Sequence, residues 1–175
     1  MNNENQEKIT LKPQALKSNT QKIAFCALFI ALSIVLGKYA SITAGAFRIS
    51  FENLPILMAA VMLGPIYGAV VGACADLVGC LLVGYSINPI ITVGAAIIGA
   101  TCGLVYKFLP VAKQWLKLLF AVGAAHILGS MIVKSIGLMV YYGYPLNLVI
   151  LRIPLYIFIG GLEFAFLLAL QKRGL

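Results

Sequence analysis

Charge is scarce in this sequence, and acidic charge is scarcest: Asp and Glu supply 5 of the 175 residues, against 13 for Lys and Arg. Histidine and tryptophan occur once each. So few titratable groups leave the usual catalytic constellations unbuilt. There is no paired histidine–glutamate metal motif and no nucleophile elbow. The run GSMIVKS, Gly129 to Ser135, ends in lysine–serine as a phosphate loop does, but Val133 stands where that motif requires glycine. ATP hydrolysis by the chain itself is thereby excluded, an enzyme reading lacks a nucleophile or metal set, and no cofactor is implied. Cys26, Cys74, Cys80 and Cys102 lie singly in apolar runs without metal-ligand spacing, and read as reduced packing residues. The basic residues are not interleaved with aromatics, so the formal net charge of +8 does not point to nucleic acid.

What is abundant is apolar surface. The chain is 62% hydrophobic, with a mean hydropathy of +1.01. That composition makes the lipid bilayer its solvent and an all-α bundle of spanning helices its natural architecture. Residues 1–22 read as a polar cytoplasmic tail, too long and too polar for a signal peptide. Residues 23–171 read as one membrane domain, and 172–175 as a cytoplasmic end. Six spans are expected, at Ile23–Gly37, Leu54–Leu63, Pro65 to about Gly84, Ile90–Phe108, Leu118–Val140 and Leu146–Leu170. The second is short against the roughly 20 residues a bilayer requires. Nine cations fall on one face: Lys8, Lys12, Lys17, Lys22, Lys107, Lys113, Lys117, Lys172 and Arg173. Lys38 and Arg48 face them from the other side, so the positive-inside rule puts both termini in the cytoplasm of a cell-membrane protein. The Tyr39–Asn53 loop, the Tyr85–Pro89 turn and the YYGYP turn then meet outside.

Gly64, Gly68, Gly72 and Asp76 recur every four residues, which lays small side chains on one helix face and lets another helix approach closely. The stripe ends in a carboxylate, and a lone charge in an apolar span should face the protein interior or a wet cavity. Lys134 and Arg152 also fall inside spans, each in the outer part. His126, Ser130 and Lys134 form an i+4 series, and Arg152 and Glu163 differ by about 20° around their helix, with Tyr156 nearby. Two readings stand side by side. Asp76, Lys134 and Arg152 are either a structural ion cluster or a pocket whose cations meet an anionic ligand while Asp76 accepts hydrogen bonds from ligand amino groups. Arg152 suits a carboxylate because its planar fork binds two oxygens. His126 reads as a hydrogen-bonded packing residue, and Glu163 as a partner for another helix.

SFENLP, the run LGPIYGAVVGACADLVG, a glycine–tyrosine turn ending in asparagine–proline, and ALFIA in the first span together resemble the substrate-binding component of energy-coupling factor (ECF) vitamin transporters, especially the folate-specific branch. The resemblance implies six membrane helices that bind one vitamin at the outer face and deliver it through a transmembrane coupling subunit driven by two cytoplasmic ATPases. By position, Ala27 and Ala31 resemble the alanine motif that docks the coupling subunit, the loop around Arg48 the gate, and Asn88-Pro89 the turn after the third helix. Ile90 departs from the glycine that folate-type members often carry after that proline. The expected binding set is Arg48, Asp76, Tyr85, Asn88, Lys134, Arg152 and Tyr156, with a glutamyl carboxylate for the cations, aromatic faces for the pterin and Asp76 for its hydrogen-bonding edge. Thiamine, riboflavin or pantothenate would be the alternative ligands. A standalone proton-linked carrier or channel using Asp76, His126, Lys134 and Glu163 as a relay is the alternative of another class.

Overall fold

The structure is a computed structural model that describes residues 18–44 and 47–173, without the side chains of 43–48. Helix α1 (Asn19–Tyr39) starts where Ser18 Oγ accepts a hydrogen bond from the Thr20 amide at 3.3 Å, and its last five residues, Val35–Tyr39, are wound as a π-helix. Strands β1 (Ile42–Ala44) and β2 (Phe47–Ile49) form an antiparallel hairpin with Ile42 opposite Ile49 and Thr43 opposite Arg48. There follow α2 (Asn53–Leu63), α3 (Pro65–Val83), α4 (Pro89–Phe108), α5 (Gln114–Tyr142) and α6 (Leu146–Lys172).

Among the described residues there are six helices, five of them long and apolar enough to cross a membrane. The exception is α2, with 11 residues. It lies against α1, α3 and α4 and is buried over most of its length, so it needs no lipid-matched span of its own. The six expected helices are thus present, and the second is as short as its apolar run, 11 residues packed inside the bundle. The loop expected between Tyr39 and Asn53 is the hairpin.

The tightest contact joins α3 to α4. A Cβ placed on Gly99 would run into the carbonyl of Gly68, one on Gly72 into the carbonyl of Ala95, and one on Gly103 would lie 2.5 Å from Pro65 Cα. Backbone thus meets backbone, the close approach that small residues four apart permit in helices without a hydrophobic force between them. Gly64 is not part of this face. At φ 106° it turns the chain from α2 into α3, a conformation that strains any residue with a Cβ, and Pro65 then starts the new helix. A core of Phe29, Ile56, Leu57, Val71, Ile98, Leu118 and Val122 fills the middle of the bundle. Ile66, Leu81, Phe108, Phe120, Ile157 and Phe158 point outward, as side chains dissolved in lipid do. On α1, Ala27 and Ala31 are exposed beside Leu28 and Leu32, with no cover among the described residues.

Gly99→Val should therefore cost about 1–3 kcal/mol or more by overpacking, measured as a lower thermal unfolding midpoint in detergent. Gly161→Val, at a position with no neighbouring atom within 4 Å of an added Cβ, should leave the midpoint unchanged.

Candidate functional site

At one end of the bundle the hairpin root, the Gly84–Asn88 turn and the Tyr142–Tyr144 turn surround a cavity of about 500 Å³. That volume lies within the ~300–1,000 Å³ range of small-molecule sites. Asp76 and Cys80 enter it from α3, Lys134 from α5, and Arg152, Leu155 and Tyr156 from α6. Tyr85 and Asn88 come from the α3–α4 turn. Six of the seven expected binding residues are thus brought together. The backbone of the seventh, Arg48, lies in β2, which packs near α6, while its side chain falls outside the described residues. Lys38, Glu52, Tyr142 and Tyr144 also line the cavity and were not among those expected.

The charges are arranged unequally. Lys134 Nζ donates to Glu52 Oε1 at 2.9 Å and to Asn53 Oδ1 at 3.4 Å, so this cation is already partnered at the start of α2. Ser33 Oγ donates to the Glu52 carbonyl at 2.6 Å, which ties the same residue to α1. Asp76 Oδ2 accepts from Thr92 Oγ1 at 2.6 Å, whereas its Oδ1 has a long 4.0 Å contact with Cys80 Sγ. Lys38 Nζ lies 3.8 Å from that sulfur and 5.6 Å from the Tyr85 ring centroid. Arg152 has neither of these acidic neighbours as a partner. Its Nη2 donates to the Tyr156 hydroxyl at 2.7 Å and its guanidinium lies 5.1 Å from that ring, but Nη1 is buried without a hydrogen-bond partner among the described residues. Three cations, Lys38, Lys134 and Arg152, thus face two carboxylates, Glu52 and Asp76, across the cavity.

Asn88 lines the cavity but spends its side chain elsewhere. Its Oδ1 accepts from the Ile90 and Ile91 amides, capping α4, and its Nδ2 donates to the Gly137 carbonyl at 3.0 Å. Its contribution to the cavity is to hold the turn between α3 and α4 against α5.

Glycines give the long charged side chains room. An added Cβ would sit 2.8 Å from Glu52 Cβ at Gly37, 2.8 Å from Lys38 Cε at Gly79 and 2.8 Å from Lys134 Cγ at Gly94. Each of these three glycines vacates the space that a pocket side chain occupies. The spacing of small residues, read from the sequence as helix packing alone, also serves this second purpose.

Deeper in the bundle, His126 Nε2 and Glu163 Oε2 are 2.6 Å apart, both residues buried. His126 Nδ1 is 3.3 Å from Ser130 Oγ, and a π-wound segment, His126–Val133, keeps this i+4 series on one face. The four groups of the supposed relay are therefore split, with Asp76 and Lys134 at the cavity and His126 and Glu163 in the core. Glu52, Lys38 and Thr92 were missed by sequence reasoning. SFENLP carried the one signal for Glu52, an acid at the entry to an apolar helix in a chain with five acids.

Comparison with known proteins agrees with this architecture. The family model described as the S component of the ECF-type riboflavin transporter matches residues 17–161. The folate transporter FolT of Clostridium novyi (strain NT) is 28% identical over 120 residues, spanning 68% of this chain and 69% of that protein. In fold, the chain matches the crystal structure of FolT bound with folic acid with a TM-score of 0.70 at 24% identity, covering 89% of this chain and 93% of the other. The S component for biotin from an ECF-type ABC transporter matches with a TM-score of 0.65 at 20% identity, covering 90% and 95% of the two chains. With residues 17–161 matched, this chain belongs to the family of the ECF-type riboflavin transporter S component.

Proposed function

We propose that this S component captures folate at the outer face of the cell membrane and passes it to a transmembrane coupling subunit driven by two cytoplasmic ATPases. The observation that carries the ligand assignment is the buried Arg152 Nη1, a charged donor left without a partner in a cavity whose described side chains hold one positive charge in excess. Leaving such a donor unsatisfied is costly, so the site favours a ligand that supplies an anion. Riboflavin is uncharged at neutral pH and thiamine is a cation, and neither answers that need. Pantothenate brings a carboxylate but no flat ring for Tyr85, Tyr142, Tyr144 and Tyr156. Folate brings both, and the amino edge of its pterin suits Asp76 Oδ1.

In this reading Arg152 binds one glutamyl carboxylate, Arg48 on the hairpin reaches the other, and Tyr85 and Tyr156 offer ring faces. Lys134 and Asn88 act at one remove, by fixing Glu52 and the α3–α4 turn. The orientation rests on the cations: Lys22, Lys107, Lys113, Lys117, Lys172 and Arg173 belong to the helix ends and connection opposite the cavity, a bias that supports a cytoplasmic reading of that end. The exposed Ala27 and Ala31 on α1 give the coupling subunit a smooth surface for close packing.

Purified protein in detergent should bind folic acid without ATP, and riboflavin, thiamine and pantothenate should not compete. Arg152→Ala should weaken binding about 10- to 100-fold, the worth of a charged hydrogen bond. Isothermal titration calorimetry with no heat for folic acid would remove the assignment. Ala27→Trp should abolish uptake in cells that contain the coupling module and leave the affinity of the isolated chain intact; loss of both would make these alanines packing residues of the fold.

A further inference from the structure

His126 and Glu163 do not line the cavity, yet they form a short, fully buried polar contact at 2.6 Å. Stability does not account for the pair. A buried ion pair or charged hydrogen bond gains little over well-packed apolar side chains, and here Glu163 Oε1 is buried without a partner among the described residues. The surroundings give another reason. The His126 ring lies against Gly160, where an added Cβ would stand 3.1 Å from His126 Cδ2. The Tyr156 ring is also nearby, with ring centroids 6.1 Å apart and planes tilted by 38°. Tyr156 in turn accepts the hydrogen bond from Arg152 Nη2 at 2.7 Å. Arg152, Tyr156 and Gly160 are four residues apart, so they form one stripe on α6 that runs from the cavity to the core.

We infer that the His126–Glu163 pair positions the ligand-binding arginine: Glu163 fixes the His126 ring in the Gly160 notch, the ring fixes Tyr156, and Tyr156 holds the Arg152 guanidinium in the cavity wall. His126, Glu163 and Gly160 are then positioning residues that act on affinity for a ligand carboxylate without touching the ligand. The inference deepens the folate assignment and rests on it for the ligand used, though the geometry concerns Arg152 alone.

The test uses the full chain in detergent and two probes: folic acid, and 6-methylpterin, which keeps the ring and lacks the glutamyl tail. Glu163→Leu should weaken folic acid about tenfold or more and change 6-methylpterin by less than about twofold, because the pterin end does not depend on Arg152. Equal loss for both probes, or no loss for either, overturns the inference. A ligand-free arm keeps the two claims apart. The chain has three arginines, Arg48, Arg152 and Arg173, so ¹⁵N-arginine labelling gives a spectrum in which Arg152→Lys identifies the Arg152 side-chain signal. That signal should exchange slowly with water in the wild type and at the rate of a solvent-exposed arginine in Glu163→Leu. Unchanged protection overturns the inference, whereas wild-type protein that binds no folic acid but shows the shift in exchange removes the folate assignment alone. If Glu163→Leu does not fold, Gly160→Ala, which presses on His126 without removing a charge, should give the same selective loss in both arms, and its failure to do so is equally decisive.

Discussion

Charged side chains inside hydrocarbon are costly, with insertion scales giving about 2.5–3.5 kcal/mol at a helix centre, and they persist where the protein gives them a partner and an interior position. This constraint organises the bundle. Lys134 is tied to Glu52, Asp76 to Thr92 and His126 to Glu163. Glycine supplies the room, with Gly37, Gly79, Gly94 and Gly160 each facing Glu52, Lys38, Lys134 or His126 at a distance that a Cβ would close. Small residues in membrane helices are generally explained by helix approach. Here α3 and α4 show that use through Gly68, Gly72 and Gly99, while the four other glycines make seats for polar side chains.

Two buried polar atoms are left without a partner among the described residues, Glu163 Oε1 in the core and Nη1 of Arg152, a residue of the cavity wall. Tyr156 satisfies one end of the Arg152 guanidinium, and Nη1 at the other end is buried without a hydrogen-bond partner among the described residues. An incomplete site of this kind is what a binding protein needs, because the ligand then supplies an interaction that the empty protein lacks. Glu52 has the complementary task. Held by Lys134 and by the Ser33 hydroxyl, it anchors the chain between β2 and α2 to α5 and α1, so the hairpin is rooted at a residue that also lines the cavity.

Much of this was legible in the sequence, and the limits of legibility have physical causes. Composition and run lengths placed the helices, and Asp76, Lys134 and Arg152 were recognisable as interior because a charge in an apolar span has few other places to go. The short length of the second helix was visible too, but that α1, α3 and α4 surround it was not, since burial is a property of neighbours. Partners far apart in the chain were hidden for the same reason. Glu52 and Lys134 are 82 residues apart, and His126 and Glu163 are 37 apart. The Gly64, Gly68, Gly72 spacing predicted one helix face, whereas Gly64 serves as the turn; periodicity cannot tell a helix residue from the positive-φ turn that precedes a proline. Asn88 was picked out by its place in a motif, and its side chain is consumed by capping α4 and bonding Gly137.

The central claim is that an arginine incompletely satisfied by the protein waits for a ligand anion among tyrosines. A crystal structure of the chain grown with folic acid measures this directly. The account predicts a glutamyl carboxylate oxygen within hydrogen-bonding distance of Arg152 Nη1, the pterin against tyrosine rings and its amino edge on Asp76. A folate seated with its tail away from Arg152, or Arg152 turned to pair with a protein carboxylate while the ligand is bound, would contradict it.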